Sequence, residues 1–233
     1  MMDSLDRILV PARDLLGRVD ATLRTQGAPP DHPVLPLLKK IRAFPGEALE
    51  SVAELDARTV ADVAVELRVY ADRYAGHRAG VEHSFAATRW EGAARETFAG
   101  RWRSLGRHLG DGESPREPSM AGRLVALLTF LDGVGDWITE TRAGLATAIA
   151  ESLGSTEAVC LRSAPAPAPT AAARGPDRAL AASSIGVRVL GSIDTAVLAG
   201  YRLYGRRLPD LTELVFLPPG TEPPPADHLT ASV

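Results

Sequence analysis

A single cysteine, Cys160, stands among the 233 residues, so an internal disulfide and any metal site built from several thiolates are excluded. Aromatic residues make up only 5%, and alanine, leucine and valine dominate the apolar set. That balance suits helices packed along thin stripes better than sandwiches or barrels, whose strands draw on aromatic and β-branched side chains. Lysine occurs only at Lys39 and Lys40, so 24 of the 26 basic residues are arginine. With so much alanine, this points to a genome rich in G and C, such as an actinobacterial one. No strong charge of either sign is present: the net charge is −3 and the pI near 6.0, which gives the chain no electrostatic reason to seek nucleic acid. The first nine residues carry Asp3 and Asp6 in place of a basic patch and an apolar run, unlike a Sec-type signal peptide. No stretch reads as the roughly 20 apolar residues that span a bilayer. The best, Ile185 to Tyr201, is interrupted by Arg188 and Asp194. The expectation is a cytoplasmic protein without membrane insertion, whose export, if any, uses a route that reads a folded or C-terminal signal.

What is present is ordinary globular material, 45% hydrophobic and 24% charged, enough for one or two domains with a sizeable core. Residues 4–25 read as a helix with Leu5, Ile8, Ala12, Leu15, Val19 and Thr22 on one face; Pro11 either kinks it or starts it. Gly27-Ala28-Pro29-Pro30 ends it, and residues 34–44 allow a short helical turn before Pro45-Gly46. These 46 residues form an N-terminal helix with a Pro-rich connector. No proline follows until Pro115, and Val60, Val63, Leu67, Tyr70, Tyr74 and Val81 fall in steps of three, four or seven. That seam predicts one helix over about 47–88, roughly 60 Å long. Ala94, Phe98, Trp102, Leu105 and Leu109 start a second seam, broken at 110–118. A third helix, 119–153, carries Leu124, Leu127, Leu131, Val134, Ile138, Leu145 and Ala148, with Ser119 as a plausible N-cap. Residues 47–160 thus read as a helical hairpin or bundle. The Ala/Pro-rich segment 161–177 reads as a semi-rigid linker, 178–217 as a C-terminal helix with Leu190, Ile193, Val197 and Tyr204 on one face, and 218–233 as a disordered Pro-rich tail. The one strand-like run is Leu214 to Leu217. The fold class expected is all-α.

Trp90-Glu91-Gly92 lies where the first long seam ends and the second begins. A glycine there tolerates positive φ and lets the chain reverse; a tryptophan beside it can cover the end of the seam. With Gly92, Ala93, Ala94, Phe98 and Trp102 following, residues 47–153 resemble the WXG family of helical-hairpin proteins of type VII (ESX-like) secretion. The resemblance implies a long antiparallel hairpin with Trp90 and Gly92 at its tip, and Ala94, Phe98 and Trp102 on the continuing face. It also implies a partner that is another hairpin, in a homo- or heterodimer, and a role as substrate, chaperone or targeting partner. The chain departs from the family in its length, in the loop at 110–118, and in lacking Tyr-x-x-x-Asp/Glu: Gly205 follows Tyr201 by four residues, and Leu208 follows Tyr204. A helical scaffold or regulatory protein with no secretion role is the alternative.

Other chemistry is thinly represented. His77 and His83 are six apart on the first long helix, and metal ligands on one helix face need a spacing of three or four. Arg89, Arg95, Arg101, Arg103 and Arg107 cluster around the second helix, but Glu91 and Glu96 dilute them, and a solvated face explains them. Cys160 has no spaced histidine partner, and no nucleophile elbow, phosphate loop or dinucleotide fingerprint is visible. No catalytic, cofactor-binding or metal-binding residue is assigned. The reading is a non-enzymatic interaction protein that binds other proteins and not nucleic acid.

Overall fold

The computed structural model describes residues 3–110, 119–163 and 171–211. They form eight α-helices, α1 (Ser4–Gln26), α2 (Val34–Ile41), α3 (Pro45–Ala53), α4 (Ala57–Ala87), α5 (Ala93–Leu109), α6 (Met120–Leu153), α7 (Thr156–Arg162) and α8 (Ala171–Arg207), and a 3₁₀ turn over Leu208–Leu211. No strand occurs among the described residues, so the fold is all-α. The chain divides into two compact units, the first comprising residues up to Val60 together with Gly133–Tyr204, the second Ala61–Asp132 with the chain from Gly205 onward. The strand-like run at 214–217, the tail at 218–233, most of the 110–118 break and residues 164–170 of the expected linker lie outside the described residues; residues 171–177, expected in that linker, belong to α8.

In the first unit, α1 begins with a reciprocal cap. Asp3 accepts the Asp6 N–H at 2.9 Å, and Asp6 accepts the Asp3 N–H at 3.3 Å, satisfying two donors that a helix start leaves open. The helix runs through Pro11, which lies on the exposed side, where solvent can reach the carbonyl that the missing N–H leaves unbonded. Its inner face, Leu5, Ala12, Leu15, Leu16, Val19 and Leu23, joins Leu49, Val52, Leu145, Ile149, Leu161, Ile185 and Leu190 in one apolar cluster. Helix α8 approaches α6 and α2 closely at two glycines. A Cβ on Gly133 would lie 2.9 Å from Leu203 Cδ1, and one on Gly186 equally close to Val34 Cγ2. The Trp137 indole N–H donates to the Ala196 carbonyl at 2.8 Å.

The predicted single helix over 47–88 is two helices, broken at 54–56. Asp56 marks the start of α4 locally, accepting the Arg58 N–H at 2.9 Å, and the end of α3 is held from α6. The Arg142 guanidinium donates to the carbonyls of Val52, Ala53 and Leu55 at 3.1, 2.9 and 3.1 Å, satisfying acceptors that the end of α3 exposes. Its other nitrogens bind Asp3 at 2.5 Å and Asp6 at 2.6 Å. One nearly buried side chain therefore joins the end of α3 to the start of α1. The other end of α3 is held in a matching way. Phe44, at the N-cap, has no side-chain acceptor, and Glu47 supplies half of the cap by accepting the Phe44 N–H at 2.9 Å. Asp20 of α1 supplies the rest, accepting the Gly46 N–H at 3.1 Å. A Cβ on Gly46 would come within 2.6 Å of the Asp20 carboxylate, so only glycine allows that approach.

The expectation of a chain without a span-length apolar helix does not hold. Asp177–Arg207 is 31 residues of helix with a window of mean hydropathy 1.3, long and apolar enough to cross a membrane by length and composition. The single Arg188 and Asp194 leave that average high because alanine, valine, leucine and isoleucine surround them. With this finding the cytoplasmic assignment and the secreted alternative, which rested on the absence of such a helix, lose their basis. In the fold, 44% of that window is buried. Arg188 pairs with Glu157 at 3.1 Å, and Asp194 pairs with Lys40 at 2.5 Å.

Two tests follow from the caps. Arg142→Met should cost about 3 kcal/mol in urea unfolding, because it leaves carbonyls and carboxylates without their donor. Arg142→Lys should recover little of it, since one ammonium cannot span the same acceptors. The two aspartates should titrate with opposite signs. Arg142 holds Asp3 below the ordinary carboxylate value of 3.8, so its contribution is present above that value and is lost as pH falls through the folded pKa. Burial raises Asp20 above 3.8, against the opposing pull of the Gly46 N–H. The stability that Asp20 confers is full below 3.8 and is lost as pH rises through its folded pKa. Asp3→Asn should therefore flatten the acid limb of the stability curve, and Asp20→Asn should remove a loss that wild type suffers on raising the pH from acid.

Candidate interaction surface

The second unit buries far less. Along α4, Ala64 is 1% exposed and Leu67, Ala71, Tyr74 and Arg78 are half-buried, in steps of three and four. This inward stripe is rotated from the predicted seam. Leu67 and Tyr74 belong to both, whereas Val63, Tyr70 and Val81 are exposed, Tyr70 at 62%. The reason is steric: the face with Ala64 and Ala71 permits closer backbone approach than one built from valine and tyrosine. Large hydrophobic residues therefore remain outward along α4, with Val65 and Val69 exposed as well.

Arg78 secures the end of α5. Its guanidinium donates to the carbonyl of Gly110, the C-cap of α5 at φ 70°, and pairs with Glu82 at 3.1 Å. Tyr74, Arg78, Glu82, Gly110 and Leu124 line an open cavity of about 280 Å³. Burial raises the Tyr74 hydroxyl pKa above its ordinary value of 10.0, and this hydroxyl has no hydrogen-bond partner among the described residues. At the start of α6, Ser119 acts as the N-cap that the sequence suggests, accepting the Gly122 N–H at 3.0 Å.

Residues 88–92 connect α4 to α5. Thr88 donates to the Ser84 carbonyl at 2.8 Å, finishing α4. Gly92 has φ 85° and its carbonyl accepts the Arg95 and Glu96 N–H groups. A Cβ at Gly92 would meet nothing within 4 Å, so the requirement for glycine is the positive φ alone. Around this connection three rings gather. Phe98 stands 4.9 Å from Phe85 and 5.7 Å from Trp90, centroid to centroid, within the range of favourable tilted pairs. The Arg95 guanidinium lies 6.0 Å from the Phe85 ring centroid.

Of the five residues singled out by sequence, Trp90, Gly92 and Phe98 thus meet at one place. Ala94 is exposed on α5, and Trp102 is half-buried one turn beyond Phe98, with no ring partner among the described residues. Phe85, from the last turns of α4 beyond the Val81 end of the predicted seam, and Arg95, from the basic cluster around α5, complete the group. Trp90 remains 42% exposed. His77 and His83 are exposed, as are Arg95, Arg101, Arg103 and Arg107, and Cys160 is a half-buried free thiol. No group of three or more His, Cys, Asp or Glu able to hold a metal occurs among the described residues.

Phe98 touches both other rings, so Phe98→Ala should destabilise more than Trp90→Ala, about 2–3 against about 1 kcal/mol in urea unfolding. Gly92→Ala should cost about 1 kcal/mol through backbone strain. Compared with known proteins, the chain matches no family model, no curated protein and no solved structure.

Proposed function

We propose that this chain is a non-enzymatic helical interaction protein, and that it serves as a WXG-like substrate, chaperone or targeting partner in type VII secretion. In this reading α4 and α5 are the arms of an antiparallel hairpin and residues 88–92 are its turn. The observation that carries the interaction role is the outward apolar face of α4. Val63, Tyr70 and Val81 stay exposed in a helix that already buries a different stripe, and such a row is what a partner helix lays its own apolar face against. The ring pair of Phe85 with Phe98 across the turn, and the half-exposed Trp90 beside it, support the hairpin and its tip as part of that surface. The partner is a second helical hairpin, a copy of this chain or a different one.

A second reading, a helical scaffold or regulatory protein with no secretion role, is favoured by one observation: neither Tyr201 nor Tyr204 is followed at the fourth residue by Asp or Glu. Under the leading reading that signal resides on the partner. Size-exclusion chromatography with light scattering separates the two, run on the chain alone and with small hairpin proteins encoded beside it. A stoichiometric complex with a hairpin carrying Tyr-x-x-x-Asp/Glu, weakened about tenfold or more by Val63→Ser with Tyr70→Ser, is the expected result. A monomer that ignores every neighbour argues for the scaffold.

A further inference from the structure

Where residues 137–144 of α6 lie beside residues 192–199 of α8, within the first unit, the two helices border an open cavity of about 320 Å³. Trp137, Glu140, Thr141 and Gly144 line one side in steps of three and four, and Ser192 and Ala196 belong to the other, so each wall is a single helix face. The room comes from small side chains. At Gly133 and Gly186 a Cβ would collide with a neighbour, but at Gly144 it would meet only Ser192 Oγ, at 3.5 Å. Packing therefore does not impose glycine at 144, and its absent side chain leaves open space. Trp137 is held in place by its indole N–H bond to the Ala196 carbonyl and by Gly200 against the ring.

Thr141 is the anomaly in this wall. On the same helix Thr129, Thr139 and Thr147 each donate to the carbonyl four residues earlier, at 2.8, 2.9 and 3.1 Å. Thr195, on the α8 side of the cavity, does the same at 2.9 Å. Thr141 is only 7% exposed, yet its buried hydroxyl has no hydrogen-bond partner. Such a group opposes folding, and valine would fill the same volume without it. Glu140 is the one charged residue among the described lining, and it is exposed and in no ion pair among the described residues. A free carboxylate, a fixed indole and an unsatisfied hydroxyl, set among alanine and glycine, complement an organic cation. Its charge meets the carboxylate and the ring, an N–H reaches the hydroxyl oxygen, and its apolar body takes the space beside Gly144. An anion would meet Glu140 with nothing to balance it, and a purely apolar guest would leave Thr141 unsatisfied. We propose that this cavity binds a small primary alkyl- or arylalkylammonium ligand, with Glu140 pairing its charge, Trp137 beside it and Thr141 accepting an ammonium N–H. The proposal is independent of the hairpin reading, because all of these residues belong to the first unit.

The test is an NMR titration of the isotope-labelled full chain at neutral pH with phenethylammonium, read at the Trp137 indole N–H and the amides of 137–144 and 192–199. Neutral phenethyl alcohol and anionic hydrocinnamate serve as matched probes. Phenethylammonium should give saturable shifts at these positions, with the alcohol about fivefold or more weaker and hydrocinnamate without effect. Glu140→Gln should weaken phenethylammonium binding about fivefold. Thr141→Val should weaken it by a similar factor, about fivefold, and at the same time raise the melting temperature of the free protein, because an unsatisfied hydroxyl is gone. A merely structural role for that hydroxyl would lower the melting temperature instead. Gly144→Ala, which the packing tolerates, should fold as wild type does and bind more weakly through lost space. No shift at these positions with phenethylammonium at roughly 50 mM, a generous level for a ligand of this size, would overturn the proposal. Equal binding of the alcohol would overturn it too, as would affinities unchanged by both Glu140→Gln and Thr141→Val.

Discussion

The first unit depends on how one guanidinium is satisfied. Arg142, only 10% exposed as a side chain, reaches the carboxylates of Asp3 and Asp6 and three carbonyls around the end of α3. A planar fork of donors suits that task where a lysine would not. Its positive charge sits at a helix C-terminus, and the carboxylates it pairs with sit at a helix N-terminus, so both helix dipoles are complemented. Helix α3 is nine residues long, too short to persist in water by itself. It is held at one end by Arg142 and at the other by Asp20, both from other helices. The apolar cluster of α1, α3, α6, α7 and α8 then closes around elements whose ends are already fixed.

The second unit follows a different economy. Among its described residues the buried apolar side chains are Ala64 and Ala126, small groups that contribute little transfer energy. Its larger side chains, Val63, Tyr70, Val81 and in part Trp90, remain outward. Both units carry exposed apolar side chains, Val10 and Tyr201 in the first among them, but the first also buries a core of large side chains whereas the second buries almost none. This contrast underlies the reading of the chain as an interaction protein.

Legibility in the sequence followed the range of the forces involved. Helix α1 could be read because its face repeats regularly and Asp3 and Gly27 mark its ends locally. Ser119 could be read as a cap for the same reason. The break at 54–56 is only half legible: Asp56 is a local cap for α4, whereas the side chain that holds the end of α3, Arg142, lies more than eighty residues away. Asp20 escaped notice because a buried carboxylate serving a distant helix start looks like any surface aspartate. The α4 seam was misplaced by counting valine and tyrosine when alanine marks the packed face. At the candidate surface, Trp90, Gly92 and Phe98 were visible through their positions, whereas Phe85 and Arg95 emerge only when the chain turns back at 88–92. The apolar length of α8 was hidden by giving Arg188 and Asp194 more weight than the residues around them.

Hydrogen exchange of the full chain, read by mass spectrometry, tests the central contrast most directly. The account predicts the slowest exchange in α1 and in residues 181–193 of α8, and distinctly faster exchange across residues 61–87 of α4, whose helix has few buried contacts to keep it closed. Protection of 61–87 equal to that of α1 in the isolated chain would contradict it, because the outward face of α4 would then be no unfilled surface at all.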